Sequence, residues 1–312
     1  MLNVLVTAGG VTTAWHMVKV AKEYFADRVC VHLCDTNARE HVPSAVMADR
    51  FYRVPGLIEP GYYEHMLQLM EDNGIQVVVP LIDQDLFTWC ADNPDLAARN
   101  IRSTGPLRQS AKKLSDKRAL YEVLTELDLP SPKIVARDEM LPGREYIVKS
   151  AIGCGSQGIF FVRGGDNAQI PEGSIIQERC DGSEYEITAE VFNTPELQRV
   201  FCRRRIATKS GVCTKAEPAH IPEITQYIRH LTAHVPCPAA FCAQFFMHGG
   251  QWCMIDCNLR LGAGTALSTA AGFQLVRAFW ANLCGAEVSE GWLTPDLAVK
   301  AVLRVYDELV IR

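Results

Sequence analysis

The 312-residue sequence has few of the features that assign a chain to a class at once. It has no apolar run long enough to span a bilayer, and its start, MLNVLVTAGG, lacks the basic segment, long apolar stretch and cleavage site of a secretory signal. It has no excess of positive charge either, because the formal net charge is -5 at pH 7. We therefore expect a cytoplasmic protein that binds neither membranes nor nucleic acid.

The twelve cysteines lack the spacing of a zinc site, because no C-x-x-C pair is present. Cys30, His32 and Cys34 alternate along one apolar segment, and Cys253 and Cys257 lie in another, so each group would share one face of a strand. Free cysteine in the cytosol behaves as a small buried hydrophobe. We interpret both groups as core residues.

The composition is that of a folded enzyme-sized protein. Hydrophobic residues make up 48% of the chain and charged residues 21%, which excludes disorder over most of its length. At this length the chain is expected to form two or three compact units.

Strands and helices alternate in the N-terminal third of the chain. Apolar segments at 2–7, 29–34 and 76–80 predict strands, and amphipathic segments at 13–25 and 62–73 predict helices. This alternation predicts a parallel sheet with helices on both faces. Ligands of such sheets bind at the carboxyl ends of the strands.

The pattern changes after a boundary near Arg108. A single long helix is predicted at 110–127, ended by Pro130 and Pro132. The remainder predicts a mixed or antiparallel sheet. Its strands are predicted at 134–136, 146–149, 159–162, 174–177, 185–192, 200–205, 240–247 and 252–256, with helices at 221–233 and 268–283.

Residues 146–159 predict a strand that ends in Lys149, a glycine-rich turn and a second strand. Glycines at 153, 155 and 158 allow backbone amides to approach an anion closely, and Lys149 adds a positive charge. A plain hairpin turn also uses glycine, and the segment does not match G-x-x-x-x-G-K-[ST]. It predicts a phosphate-binding loop only in combination with other residues.

A second group of polar residues lies about a hundred residues downstream. Asp256 and Asn258 are two positions apart on a predicted strand, so their oxygens point to one face and can reach one hard cation. Arg260 continues that face and can bind an anion in a forked geometry. The alternative is the solvated face of an edge strand, but the flanking residues are apolar, and a lone buried aspartate is costly there.

Further motifs complete a resemblance that covers almost the whole chain: Ser115-Asp116-Lys117, Gln177-Glu178-Arg179-Cys180, Gly182-Ser183-Glu184-Tyr185 and Arg203-Arg204-Arg205. With Lys149 and the Asp256 strand, these resemble the ATP-grasp superfamily, closest to the carbamoyl-phosphate-synthase-like carboxylate-amine ligases. The resemblance implies an α/β fold, with a Rossmann-like pre-ATP-grasp domain at residues 1–108. A two-lobed α+β ATP-grasp domain follows, with the N-lobe and its glycine-rich lid at 109–177 and the C-lobe with the metal and phosphate site at 178–312.

The resemblance also implies a role for each matching residue. Nucleotide binding is implied for Lys117, Lys149, Gly153, Gly155, Ser156, Gly158, Gln177, Glu178, Arg179, Cys180, Glu184 and Arg203. Catalytic contacts to the transferred phosphoryl group are implied for Arg205, Arg260 and Lys149. Magnesium, with manganese as the alternative, is implied at Gln244, Asp256 and Asn258. The family usually has glutamate at the position of Asp256, which leaves one or two metal ions open.

The implied activity is an ATP- and magnesium-dependent ligation of a carboxylate to an amine through an acyl-phosphate, on small amino-acid-like molecules, by a possible homodimer. Two alternatives stay open. One is an ATP-binding regulatory protein without turnover. The other is an NAD(P)-dependent oxidoreductase, suggested by Ala8-Gly9-Gly10, although the third glycine of the G-x-G-x-x-G fingerprint is missing.

Overall fold

The structure is a computed structural model that describes residues 1–152, 158–182, 185–305 and 307–311. The predicted lid residues Gly153, Gly155 and Ser156 and the predicted ribose ligand Glu184 lie outside the described residues. No helix in the described ranges has both the length and the apolar composition needed to cross a membrane.

The N-terminal part of the chain forms the predicted parallel sheet. Five strands pair in the order β3-β2-β1-β4-β5, all parallel, with helices in the connections. The elements are β1 (Leu2–Val6), α1 (Thr12–Tyr24), β2 (Val29–Asp35), β3 (Arg50–Arg53), α2 (Tyr62–Asp72), β4 (Val77–Val79), α3 (Asp83–Thr88), α4 (Pro94–Ala98) and β5 (Arg102–Ser103). This order is that of a Rossmann-like domain, so the predicted fold class is confirmed here.

The glycine turn after β1 packs tightly against β2. A Cβ on Gly9 would lie 2.7 Å from Leu33 Cγ, and the amide of Gly10 donates a 2.7 Å hydrogen bond to Asp35 Oδ2. In a dinucleotide-binding domain, a carboxylate in this region binds the ribose. Because Asp35 instead accepts backbone and Asn37 hydrogen bonds, the oxidoreductase alternative loses support.

The next part of the chain forms a small antiparallel sheet with two helices. Its strands pair in the order β7-β6-β8. The elements are α5 (Arg108–Leu114), α6 (Lys117–Glu126), β6 (Glu145–Ser150), β7 (Phe160–Arg163) and β8 (Ser174–Glu178). The predicted strand at 134–136 is wrong, because Ile134 forms only an isolated bridge to Gln177.

The single helix predicted at 110–127 is also wrong, because the chain breaks it at Ser115 and Asp116. Asp116 has extended backbone angles, and its Oδ1 accepts the amide of Arg118 at 2.7 Å, as an N-cap residue does. The amide of Lys117 bonds to the carbonyl of Ala151 at 2.9 Å. The break therefore turns Lys117 toward the end of β6.

The rest of the chain forms an antiparallel six-stranded sheet in the order β13-β12-β9-β10-β11-β14. The predicted helix at 268–283 is wrong as one piece, because Gly272, at φ 92°, separates two helices. The elements are β9 (Ile187–Asn193), β10 (Gln198–Lys209), β11 (Val212–Ala219), α7 (Pro222–His234), β12 (Ala240–His248), β13 (Gln251–Asn258), α8 (Thr265–Ala270), α9 (Leu275–Leu283) and β14 (Val302–Leu303).

Helix α9 packs against the N-terminal domain rather than against its own sheet alone. The indole of Trp280 donates a 3.0 Å hydrogen bond to the carbonyl of Met17 in α1. Both residues belong to one apolar core that also contains Val4, Phe201 and Phe273. This shared core fixes the parallel sheet beside the six-stranded sheet.

The N-cap of α6 provides a test of the helix break. Asp116→Ala should lower the free energy of unfolding by about 1 kcal/mol, because the amide of Arg118 loses its acceptor. Glu122→Ala, at an exposed position of the same helix, should change it by less than about 0.5 kcal/mol. Urea unfolding measures both variants. Equal losses would show that the cap does not define the helix start.

Candidate active site

A cleft of about 630 Å³ lies between the parallel sheet, the small sheet and the six-stranded sheet. One row of paired residues crosses its floor on four neighbouring strands. Arg203 in β10 lies opposite Thr188 in β9, Thr188 lies opposite Gln244 in β12, and Gln244 lies opposite Asp256 in β13. All four line the cleft, because residues directly opposite in a sheet share a face.

The adjacent row brings Asn258 to the same floor. Glu190 in β9 lies opposite Cys242 in β12, and Cys242 lies opposite Asn258 in β13. The three predicted metal ligands, Gln244, Asp256 and Asn258, therefore stand on two neighbouring strands, in adjacent rows. Their oxygen atoms are the donor type that a hard divalent cation takes, so these side chains fit a magnesium site.

The only carboxylate among these ligands is already paired with a lysine. Lys117 Nζ lies 3.4 Å from Asp256 Oδ1, and the amide of Cys257 donates to the same oxygen at 3.1 Å. Both Lys117 and Asp256 line the cleft. The structure thus places Lys117, a predicted nucleotide-binding residue, next to Asp256, a predicted metal ligand.

Lys149 is almost fully buried at the end of β6. Its Nζ donates to the Tyr121 hydroxyl at 3.2 Å and to the Ile255 carbonyl at 3.3 Å, and the Tyr121 hydroxyl donates to that same carbonyl at 3.0 Å. Burial lowers the pKa of Lys149 to about 8, and the nearby Asp256 carboxylate opposes the change. Tyr121 was not predicted as a site residue, because its position in an amphipathic helix is also that of a core residue.

Arg260 is held by a carboxylate from the N-terminal domain. Its Nε and Nη2 donate to Asp83 Oδ1 and Oδ2 at 2.8 and 2.7 Å, a bidentate pair. Its Nη2 also lies 3.4 Å from Asn258 Oδ1. Asp83 is the first residue of α3. It presents its carboxylate at the carboxyl end of β4, where the alternating pattern predicted ligands to bind.

The three consecutive arginines alternate between the two faces of β10. Arg203 and Arg205 line the cleft, whereas Arg204 is exposed and pairs with Glu217 at 3.1 Å. Arg205 Nη1 donates to Glu186 Oε1 at 2.5 Å, and its Nη2 donates to the Gly211 carbonyl at 2.8 Å. Arg205 is therefore held in the cleft by Glu186 and by the Gly211 carbonyl.

The acidic residues that pair with these arginines were not predicted from the sequence. Glu186 and Glu190 lie four residues apart in and beside β9, on the face that also carries Thr188. Glu190 is completely buried, and Arg203 Nη2 donates to its Oε1 at 3.3 Å. Burial raises the pKa of the Glu190 carboxyl, and Arg203 opposes that change. Glu186, Thr188 and Glu190 are two positions apart, so alternation along a strand could have predicted that they share one face.

The remaining predicted nucleotide ligands, Gly158 and the segment from Gln177 to Cys180, are not among the described residues that line the cleft. The Gln177 amide donates to the Pro132 carbonyl at 3.3 Å, and Glu178 pairs with Arg144 at 3.1 Å. These side chains therefore join β8 to the segments that flank the small sheet. Their roles toward a nucleotide stay predictions.

Two family models match the chain. The PylC-like N-terminal domain matches residues 4–102, and the ATP-grasp domain matches residues 114–264. A search of curated proteins finds no match.

Solved structures with this fold are similar over most of the chain. N5-carboxyaminoimidazole synthetase from Staphylococcus aureus, complexed with ADP, is 14% identical, with a TM-score of 0.73 over 92% of this chain and 78% of that one. L-amino acid ligase from Bacillus licheniformis is 13% identical, with a TM-score of 0.72 over 95% and 78%. Biotin carboxylase from Campylobacter jejuni is 14% identical, with a TM-score of 0.71 over 96% and 74%.

At these identities the solved structures establish the shared architecture, and the family matches cover both parts of it. The predicted recognition is confirmed. Residues 114–264 form a domain of the ATP-grasp superfamily, and a PylC-like N-terminal domain precedes it at residues 4–102.

Proposed function

We propose that the protein is an ATP- and magnesium-dependent carboxylate-amine ligase that acts on small amino-acid-like substrates through an acyl-phosphate. The observation that carries this proposal is the convergence of basic side chains and oxygen ligands on one cleft. The basic residues are Lys117, Lys149, Arg203, Arg205 and Arg260, and the oxygen ligands are Gln244, Asp256 and Asn258.

Gln244, Asp256 and Asn258 are the residues that would hold magnesium. A bound ion would neutralise part of the charge on the nucleotide phosphates. One protein carboxylate with phosphate oxygens and water is a usual arrangement for this cation, so the shorter Asp256 is compatible with one ion. Lys117 would share the Asp256 carboxylate with that ion.

The reaction has two steps that these residues can support. A substrate carboxylate oxygen attacks the γ-phosphorus of ATP, the bond to the β-phosphate oxygen breaks, and ADP leaves. The amine nitrogen then attacks the acyl carbon, the phosphate leaves, and the nitrogen loses a proton. Phosphoryl transfer depends mainly on positioning and charge neutralisation. Lys149 and Arg260 would supply these beside the metal ligands, and Arg205 would add positive charge at the far side of the cleft.

Small-molecule acids and amines are the partners that this cleft would accept. L-amino acid ligase, a structure of the same fold, is named for amino-acid substrates, which supports the amino-acid-like choice. A homodimer stays a prediction.

An ATP-binding protein without turnover is the second candidate. The ion pair between Lys117 and Asp256 favours it, because it leaves the proposed metal site with little net negative charge. Release of ADP that depends on an added acid separates the two candidates.

Lys149→Ala and Asp256→Ala should each reduce substrate-dependent ADP release by more than about 100-fold, because each removes a charge that faces the transferred group. ADP release is measured with a panel of amino-acid pairs, and mass detection identifies the product. Circular dichroism should show that both variants stay folded.

Arg204→Ala is the matched control, because Arg204 points away from the cleft on the same strand as Arg203 and Arg205. It should keep nearly full activity, whereas Arg205→Ala should not. Full activity of the Lys149 or Asp256 variant would refute the ligase, and a loss in Arg204→Ala equal to that in Arg205→Ala would refute the assignment of faces.

The buried charge of Lys149 should also cost stability. Its pKa falls from 10.5 to about 8 on folding, which corresponds to roughly 3 kcal/mol. That cost is fully present below pH 8 and disappears as pH rises from 8 to 10.5, because the unfolded chain then binds more protons than the folded one. Lys149→Met should therefore be more stable than the wild type at pH 7, by an amount that shrinks toward pH 10.

Urea unfolding at pH 7 and pH 10 measures this difference. Lys133→Met, at an exposed lysine, serves as the control and should show no such trend. If the Lys149→Met variant is less stable than the wild type at pH 7, the inference that the buried charge of Lys149 costs stability is wrong.

A further inference from the structure

Arg203 has more hydrogen-bond donors than partners. Its side chain is only 5% exposed, and Nη2 makes one contact, at 3.3 Å, to Glu190. Nε and Nη1 are buried and have no hydrogen-bond partner among the described residues. A buried guanidinium with unsatisfied donors is costly, so this arrangement is expected to be completed by an anion.

The surroundings of Arg203 are shaped to hold it still. The loop after β13 returns across the sheet, and a Cβ on Gly264 would lie 1.7 Å from Arg203 Nη2. Only glycine leaves room for the guanidinium at this position. Thr265, the next residue, is fully buried, and its hydroxyl also has no partner in the described part of the chain. The backbone at Gly264 thus packs against the guanidinium and holds it in place at the edge of the cleft that Arg203 lines.

Arg203 is also distant from the proposed metal ligands. Along the row on the cleft floor, Arg203 lies two strands from Gln244 and three from Asp256. At about 4.8 Å per strand these are roughly 10 and 14 Å. The guanidinium turns to Glu190 in β9, which leaves one strand, β12, between it and Asp256 in β13. The transferred phosphoryl group, and the carboxylate that receives it, must lie near the metal ligands.

An anion at Arg203 is therefore a different group from the carboxylate that reacts. We propose that Arg203 binds a second carboxylate of the acid substrate, one that is not phosphorylated, and that the cleft thereby selects acids with two carboxylates over monocarboxylates. Glu190 is a positioning residue for Arg203. The inference rests on the proposed function and assigns Arg203 to the acid rather than to the nucleotide phosphates.

Two pairs of small acids test this without turnover. L-Glutamate and 4-aminobutyrate differ only in the α-carboxylate, as do L-aspartate and β-alanine. With the full chain and Mg-ADP, titration calorimetry should show that in at least one pair the dicarboxylate binds about tenfold tighter or more, as expected for a charge-assisted contact. Arg203→Gln should abolish that preference while the affinity for Mg-ADP is kept.

Gly264→Ala provides a second route to the same result, because Arg203 is buried and its loss could disturb folding. The added Cβ displaces the guanidinium without removing it, so the preference should fall as in Arg203→Gln. Arg204→Gln, on the opposite face of the strand, should keep the preference.

No preference in the wild type, or a preference that survives in Arg203→Gln and Gly264→Ala, overturns the proposal. The proposal is also overturned if Arg203→Gln loses as much affinity for Mg-ADP as it loses for the acid. If the acid preference is found but no acid stimulates ADP release, the ligase assignment fails while the carboxylate site stands.

Discussion

The register of the six-stranded sheet is the constraint on which the cleft depends. Arg203, Thr188, Gln244 and Asp256 come from four strands, and only the pairing of β10, β9, β12 and β13 places them in one row. A slip of one residue between two strands would turn a whole set of side chains to the other face. The apolar residues that alternate with this row, such as Ile187 and Ala243, are buried on the other face and hold the register.

Carboxylates fix most of the basic groups that face the cleft. Arg260 is bound by Asp83, Arg205 by Glu186 and Lys117 by Asp256. Such pairs fix a long side chain in one geometry and lower the net positive charge of the cleft. Lys149 differs, since its two hydrogen bonds in the described chain go to neutral oxygens. A ligand that approaches Lys149 would meet the least compensated charge.

Much of this arrangement could be predicted, because it depends on local pattern. Asp256 and Asn258 share a face by simple alternation, and the strand and glycine segment at Lys149 has a recognisable composition. The partners Asp83 and Tyr121 could not be predicted, because they come from distant elements and only tertiary packing brings them to Arg260 and Lys149. The helix breaks at Asp116 and Gly272 were missed for another reason: a cap or a positive φ overrides continuous helical periodicity.

The hydrogen bond from Trp280 to Met17 shows that the N-terminal domain is not formed by one continuous segment of the chain. The C-terminal helix α9 completes the apolar core of the N-terminal domain, so the first 108 residues produced alone would expose that face to water. The small sheet has its own core around Tyr146 and Val148. Ile175 of the small sheet also belongs to the core that contains Phe241 and Phe245, so truncation experiments on this chain should keep its two ends and the small sheet together.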